Sequence, residues 1–280
     1  MFFFALAIFS FSASAQASIR SACRIFLIPG AFHGSSLSAR FFLSEEDYFR
    51  DYREFFAAQG CEMGRAQFPA DATIEERAMV LRDQVGRFRS GVSAPVVLIA
   101  HSQGGLDARF ALKTLKLKGV SALITIGVPH HGTELAHWVK RQRESRSLIY
   151  WIFRTGGYDL DALSFAGEMT PGFLREKASY FEAISGVHYA SARGRCDSGC
   201  HWALRALAWW VEIPPGDGLM SVDSQRFGDD LGLYNLDHIS EVGADPARLQ
   251  ANAERRRFLE RAFEYLKASG SIGVGTGGVF

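Results

Sequence analysis

The sequence predicts an α/β fold, with a mostly parallel central sheet covered by helices on both faces. Three observations predict it. Short apolar runs rich in β-branched residues, such as "APVVLIA" at 94–100, have the composition of strands buried on both sides. Amphipathic stretches of helical period stand between them. The two alternate along much of the chain, and that alternation builds parallel sheets.

Taken in order, "RIFLIPG" is a strand ending in Pro-Gly, and "SEEDYFRDYREFFAAQG" is a helix closed by Gly60. "CEMGRAQF" is the next strand. In "ATIEERAMVLRDQVGRFRSG", Thr73 and Glu76 have capping-box spacing, and Ile74, Ala78, Leu81, Val85 and Phe88 share one face. "APVVLIA" leads into "LDARFALKTLKLKG", a helix predicted to end at Gly119. "VSALITIGVP" is a further strand. From 133 to 182 the pattern is mainly helical and less regular, which we read as a lid-like insertion over the sheet edge. "GVHYASARG" and "LGLYNLD" resume as strands. The final helix has Asp245 as N-cap, Pro246 in its first turn and Gly270 beyond its end, and the tail after it reads as loosely ordered. No repeat or linker divides residues 18–280, which are expected to form a single domain.

Residues 1–17, "MFFFALAIFSFSASAQA", have the apolar run and small-residue sites of a secretory signal peptide, with Ala13-Ser14-Ala15 or Ala15-Gln16-Ala17 for cleavage. A secreted or periplasmic location is therefore expected. The four cysteines suit export: Cys23 and Cys61 open two strands, and a bridge follows if those strands are parallel neighbours. Cys196 and Cys200 can bridge locally, and they lack a second ligand pair for zinc. The 31 basic and 30 acidic residues nearly balance, with no basic stripe, which argues against a nucleic-acid partner. The sequence does not fix an oligomeric state.

The stretch "IAHSQGGLD" sets Ser102 between a β-rich run and a helix, with Gly104 and Gly105 expected to let the backbone bend sharply and pack closely. That is the pattern of a nucleophile elbow. A serine hydroxyl needs a base, and the base needs an orienting acid, following in the order Ser, acid, His. His238 lies between the last strand and the final helix, where the base belongs. Asp217, in the glycine-flanked "PPGDGLMSVDSQRFG", is the first choice of acid; Asp223, Asp229, Asp230 and Asp237 are its rivals, with Asp229 and Asp230 read as a solvated loop pair. The oxyanion hole should draw backbone N–H groups from Gln103 and from the loop after the first strand, with Ala31 first and Phe32 second. His130 and His131 read as loop-positioning residues, "KRQRESR" as a solvated helix face, and Trp138, Trp151, Trp209 and Trp210 individually as packing residues.

These segments resemble the bacterial triacylglycerol lipases of the Pseudomonas and Burkholderia type, over roughly residues 24 to 265. "AHSQGG" is similar to their "GHSQGG", "TIGVPHHGTELAHWV" to "SVGTPHRGSxxAD", and "EMTPGFL" to a segment near their lid. "GDGLMSVDSQRFG" resembles the "NDGLVxxCSxxLG" carrying their acid, and "YNLDHISEVG" the "YxxNHLDEVN" carrying their histidine. The resemblance implies an α/β-hydrolase fold with Ser102, Asp217 and His238 as the triad. It also marks departures. Ala100 replaces the first elbow glycine, and Pro29-Gly30-Ala31 replaces His-Gly and a larger apolar residue. Ser240 stands where the family has a calcium-binding Asp, and Asp223 where it has a disulfide cysteine; Asp197 lies near the place of the second calcium carboxylate. No cofactor is expected, the family's structural calcium included.

The expected function is hydrolysis of carboxylic esters through an acyl-enzyme, by a lipase or esterase. The expected partners are a lipid or small ester substrate and a transient lipid-interface contact. An acyltransferase using the same triad, or a non-catalytic interaction protein on the same fold, are the alternatives.

Overall fold

The computed structural model describes residues 23–31, 48–69, 72–148, 151, 166–243 and 249–273. The leader, Phe32, Asp245, Pro246 and the last seven residues of the tail lie outside the described residues.

Strands β1 (Arg24–Ile28), β2 (Glu62–Arg65), β3 (Val96–His101), β4 (Val120–Ile126), β5 (His188–Gly194) and β6 (Asp229–Tyr234) form one sheet in the order β2-β1-β3-β4-β5-β6. Every pairing is parallel. The alternation of side chains along a strand divides the core in two. On one face, Ile25, Leu27, Val97, Ile99 and Ile124 meet helices α1 (Arg50–Ala58) and α7 (Leu249–Ala268) through Tyr52, Phe56, Phe258 and Leu266. On the other, Phe26, Ile28, Leu98, Ala100 and Leu123 meet α2 (Ile74–Arg89) and α3 (Gln103–Lys113) through Ala78, Leu81, Val85 and Ala111. The expected capping box of Thr73 and Glu76 starts α2. The disulfide Cys23–Cys61 joins the starts of β1 and β2 with Cα atoms 4.6 Å apart, and Cys196–Cys200 closes a local loop at 5.7 Å.

Three readings change. Helix α3 stops at Lys113, well before Gly119, because Leu115 and Leu117 turn back to bond the carbonyls of Phe110 and Ala111. Asp229 and Asp230 begin β6 rather than a loop, where Tyr265 and Arg193 bind their carboxylates at the sheet edge. A helix unforeseen from the sequence, α6 (Trp202–Val211), follows the Cys196–Cys200 loop. The inserted region contributes α4 (Glu134–Ser145) and the short α5 (Pro171–Glu176).

The chain order reverses direction across the sheet between β1 and β3: β2 lies to one side of β1, and every later strand to the other. Loops leaving neighbouring strands diverge at such a switch point and open a crevice at the strands' carboxyl ends. The loop after β1 and the turn after β3, which carries Ser102, both rise there.

Candidate active site

Ser102 occupies the strand-to-helix turn at φ 56° and ψ −137°, a backbone conformation costly for any residue with a side chain. The strain falls on the serine and not on the glycines after it, contrary to the expectation that those residues would make the bend. Gly104 and Gly105 serve the close packing that was also expected of them. A Cβ on Gly104 would lie 2.7 Å from the carbonyl oxygens of Ile28 and Pro29, and one on Gly105 would lie 2.5 Å from Val128. The missing side chains let α3 seat directly on the carboxyl ends of β1 and β4.

His238 comes to Ser102 from the loop after β6, with Nε2 3.1 Å from the serine Oγ. Its Nδ1 is 2.9 Å from Oδ2 of Asp217. The Asp217 carboxylate is fully buried, and its other oxygen accepts the N–H groups of Leu219 (2.8 Å) and Met220 (3.0 Å). The His238 N–H donates to the Asp217 carbonyl, which ties the two loops together. The fold thus brings the predicted Ser102, Asp217 and His238 into one hydrogen-bonded series. The rivals stand elsewhere: Asp223 is exposed beside Arg226, and Asp237 spends its carboxylate on the N–H groups of His201 and Ser240.

The oxyanion candidates have the required freedom. Gln103 is the first residue of α3, so its N–H lies before the intrahelical ladder. Among the described residues, neither that N–H nor the one of the buried Ala31 has a hydrogen-bond partner. Two free N–H donors beside a nucleophile can hold a developing negative charge.

Sequence reasoning missed a buried chain behind the base. The N–H of Gly30 donates to the Tyr48 hydroxyl (2.9 Å), which sits 2.6 Å from Nδ1 of His101. His101 Nε2 lies 3.0 Å from Oε2 of Glu241, and that oxygen is 3.4 Å from His238 Nδ1. Burial, then the neighbouring His238, hold His101 well below the ordinary imidazole value. A neutral His101 accepts the Tyr48 proton at Nδ1 and donates from Nε2. Glu241 is pushed well above the usual carboxylate range, first by burial and then by Asp217 and Asp237. Two carboxyl groups therefore face one imidazole in different surroundings: Asp217 is held by two backbone N–H groups, while burial favours the neutral form of Glu241. Gly127 and Gly194 leave the slot for Glu241, since a Cβ on either would come within about 2 Å of its carboxyl oxygens. The signal in the sequence was a carboxyl three residues past His238, between Ser240 and Val242 in "SEVG".

His130 is buried between Thr125 and Arg109, a loop-positioning role, while His131 is exposed. Lys140 and Arg141 lie on the solvated face of α4. Trp138 packs, as expected, with the half-buried Trp210 ring 5.6 Å from its own, whereas Trp209 is largely exposed and Trp151 half-exposed. Helix α6 flanks the acid loop: Leu204 lies against Gly218, and the N–H of His201 binds Asp237. Its Trp202 and Trp209 are 76% and 84% exposed. Both Asp197 oxygens are taken by Arg195, at 2.8 and 2.9 Å, and Ser240 supplies no carboxylate.

Comparison with known structures gives the architecture its name. The mature form of a Bacillus licheniformis lipase superposes with a TM-score of 0.62 at 20% identity, over 88% of this chain and 91% of that one. A metagenomic carboxyl esterase superposes with a TM-score of 0.67 at 16% identity, over 89% of this chain and 76% of that one. The chain has the α/β-hydrolase fold. In sequence it is 26% identical over 220 residues to triacylglycerol lipase 2 of Saccharomyces cerevisiae, covering 71% of this chain. The match spans 63% of the yeast protein, somewhat under two thirds of its length. No family model matches the chain.

Proposed function

We propose that this chain is an exported serine hydrolase that cleaves carboxylic esters, with lipid esters of the triacylglycerol class as its main substrates. The observation that carries the reading is the Ser102–His238–Asp217 series beside two N–H groups that have no partner among the described residues. In this scheme His238 Nε2 takes the proton of Ser102 as its Oγ attacks the ester carbonyl. The N–H groups of Ala31 and Gln103 hold the oxyanion. Asp217 fixes the Nδ1–H tautomer and balances the imidazolium. The proton passes to the leaving alcohol, and water then attacks the acyl-enzyme, with His238 again as base. The chemistry draws on no metal, and the Arg195-bound Asp197 supports independence from calcium.

The lipid substrate is supported by the name of the yeast relative and by the exposed tryptophans of α6, whose ring and N–H suit a lipid–water boundary. The motif likeness to the Pseudomonas and Burkholderia type lipases agrees with this reading. Export is supported by the leader pattern and by two disulfides, which persist in oxidising compartments.

The test is hydrolysis of p-nitrophenyl butyrate and palmitate by the chain lacking residues 1–17, beside Ser102→Ala and with and without EDTA. The expected result is turnover of both esters, abolished by Ser102→Ala and unchanged by EDTA. A folded protein that turns over neither ester would overturn the hydrolase reading and favour acyl transfer to an alcohol or a binding role. Loss of activity in EDTA would overturn calcium independence.

A further inference from the structure

Arg77 sits on the apolar stripe of α2 between Ile74 and Ala78, and it is 1% exposed. A guanidinium buried in a helix–sheet interface is costly unless its donors are spent on specific acceptors. Here they are. Nε donates to Oδ2 of Asp107 (2.7 Å), and Nη2 donates to the carbonyls of Pro29 (2.8 Å) and Gly30 (3.3 Å). The Phe68 ring covers the guanidinium at 3.9 Å. Asp107 belongs to α3, the helix that begins at Gln103. Pro29 and Gly30 belong to the loop after β1 that carries Ala31. One planar group therefore ties together the two segments that supply the two oxyanion donors.

The consequence lies in peptide geometry. In a trans peptide the C=O and the N–H point in opposite directions within one plane. The Pro29–Gly30 peptide obeys this visibly, since Arg77 takes its carbonyl and Tyr48 takes its N–H. The next peptide, Gly30–Ala31, has its carbonyl held by the same Arg77 nitrogen, so the Ala31 N–H is aimed away from the guanidinium, with no partner among the described residues. We propose that Arg77, braced by Asp107, is the positioning residue of the oxyanion hole: it fixes the direction of the Ala31 N–H and its spacing from the Gln103 N–H. Without it, the Gly30–Ala31 peptide is free to rotate. The hole would then lose one donor in the transition state while the ground-state ester still bound.

This inference rests on the ester-hydrolase reading, and its test separates the two. Arg77→Met, Arg77→Lys and Asp107→Asn would be measured on p-nitrophenyl butyrate, with rates expressed per active serine titrated. The rate of Ser102 phosphonylation by an alkyl fluorophosphonate would be measured in parallel, because the phosphoryl oxygen of that reaction also needs the hole. A defect that only unfolds part of the sample lowers the titrated fraction and leaves the per-site rates alone. The expected result for Arg77→Met is a fall in kcat of about 10- to 100-fold, less than or near the loss from deleting a donor outright. KM should stay within about threefold, and phosphonylation should slow in parallel. Arg77→Lys should recover part of both rates, and Asp107→Asn should lower both by a smaller factor. If Arg77→Met does not fold, Asp107→Asn and Arg77→Lys carry the test. Unchanged per-site rates in the folded variants, or a rise in KM alone, would overturn the inference. A wild-type chain that is phosphonylated at Ser102 but hydrolyses no ester would overturn the hydrolase reading, while the phosphonylation rates would still decide the role of Arg77.

Discussion

The two flanks of Ser102 are built on opposite principles. On the sheet side, polar side chains are buried and bonded in series: Arg77 with Asp107, Tyr48 with His101, Glu241 beside His238. On the α6 side, a helix with one charged residue, Arg205, turns large apolar groups toward solvent and buries only Leu204. The first flank resembles a mechanism held at fixed distances, where each buried group depends on its neighbours. The second resembles a surface that finds its partner only when substrate arrives. On the proposed function, the difference makes chemistry and substrate capture separable, and substitutions on the two flanks should fail in different ways.

The largest effect expected inside is that of Asp217→Asn. It keeps the shape but removes the charge that holds the base's tautomer, and kcat should fall by about 10³- to 10⁴-fold on soluble and emulsified esters alike. Next, the double substitution Trp202→Ser with Trp209→Ser should leave p-nitrophenyl butyrate turnover unchanged and lower the rate on an emulsified long-chain ester by about tenfold. Equal losses on both substrates would break the comparison, because the flank would then be part of the chemistry.

Glu241→Gln sharpens it from within. If Glu241 is protonated beside a charged Asp217, the neutral amide should retain kcat to within about fivefold, against the far larger loss in Asp217→Asn. A drop of Asp217→Asn size would mean that Glu241 carries the charge. The smallest effect is on stability. Burial pushes Asp107 up to about 7, against the opposing pull of Arg77. In the unfolded chain an aspartate titrates near about 3.9. Between those values the folded state keeps a proton that the unfolded state has released, so this group's contribution falls as pH rises from about 4 to about 7. Asp107→Asn has no proton to lose. Its thermal midpoint should therefore gain on the wild type across that interval, and a constant difference would remove Asp107 as the cause.

The legible parts of the molecule were those with a local signature. Parallel strands read as apolar runs, α2 carried its own capping box, and the elbow, the acid loop and the histidine loop each had a recognisable string. Arg77 was legible in retrospect as a charge on an apolar stripe, one that demands a buried partner, but nothing in the sequence names Asp107, thirty residues on, or the two loop carbonyls. Helix α6 was missed because "WALRALAWWV" is apolar almost throughout: with Arg205 as its one charged residue, it lacks the run of charges that marked off the other helices. The end of α3 was misplaced because Gly119 looked like a stop, whereas Lys116, at φ 56°, had already left helical geometry.

By itself, the sequence determined the α/β architecture, the chain order of its strands, and the residue types at Ser102, Asp217 and His238, since these depend on periodicity and on short strings read along the chain. Only the tertiary structure decided that the strain rests on Ser102, that Asp217 and not Asp237 reaches the base, that a second carboxyl lies behind it, and that one buried arginine spans the loop and the helix of the oxyanion donors. These depend on distances between segments far apart in sequence. The sheet sets those distances by bringing the carboxyl ends of β1, β3 and β4 side by side.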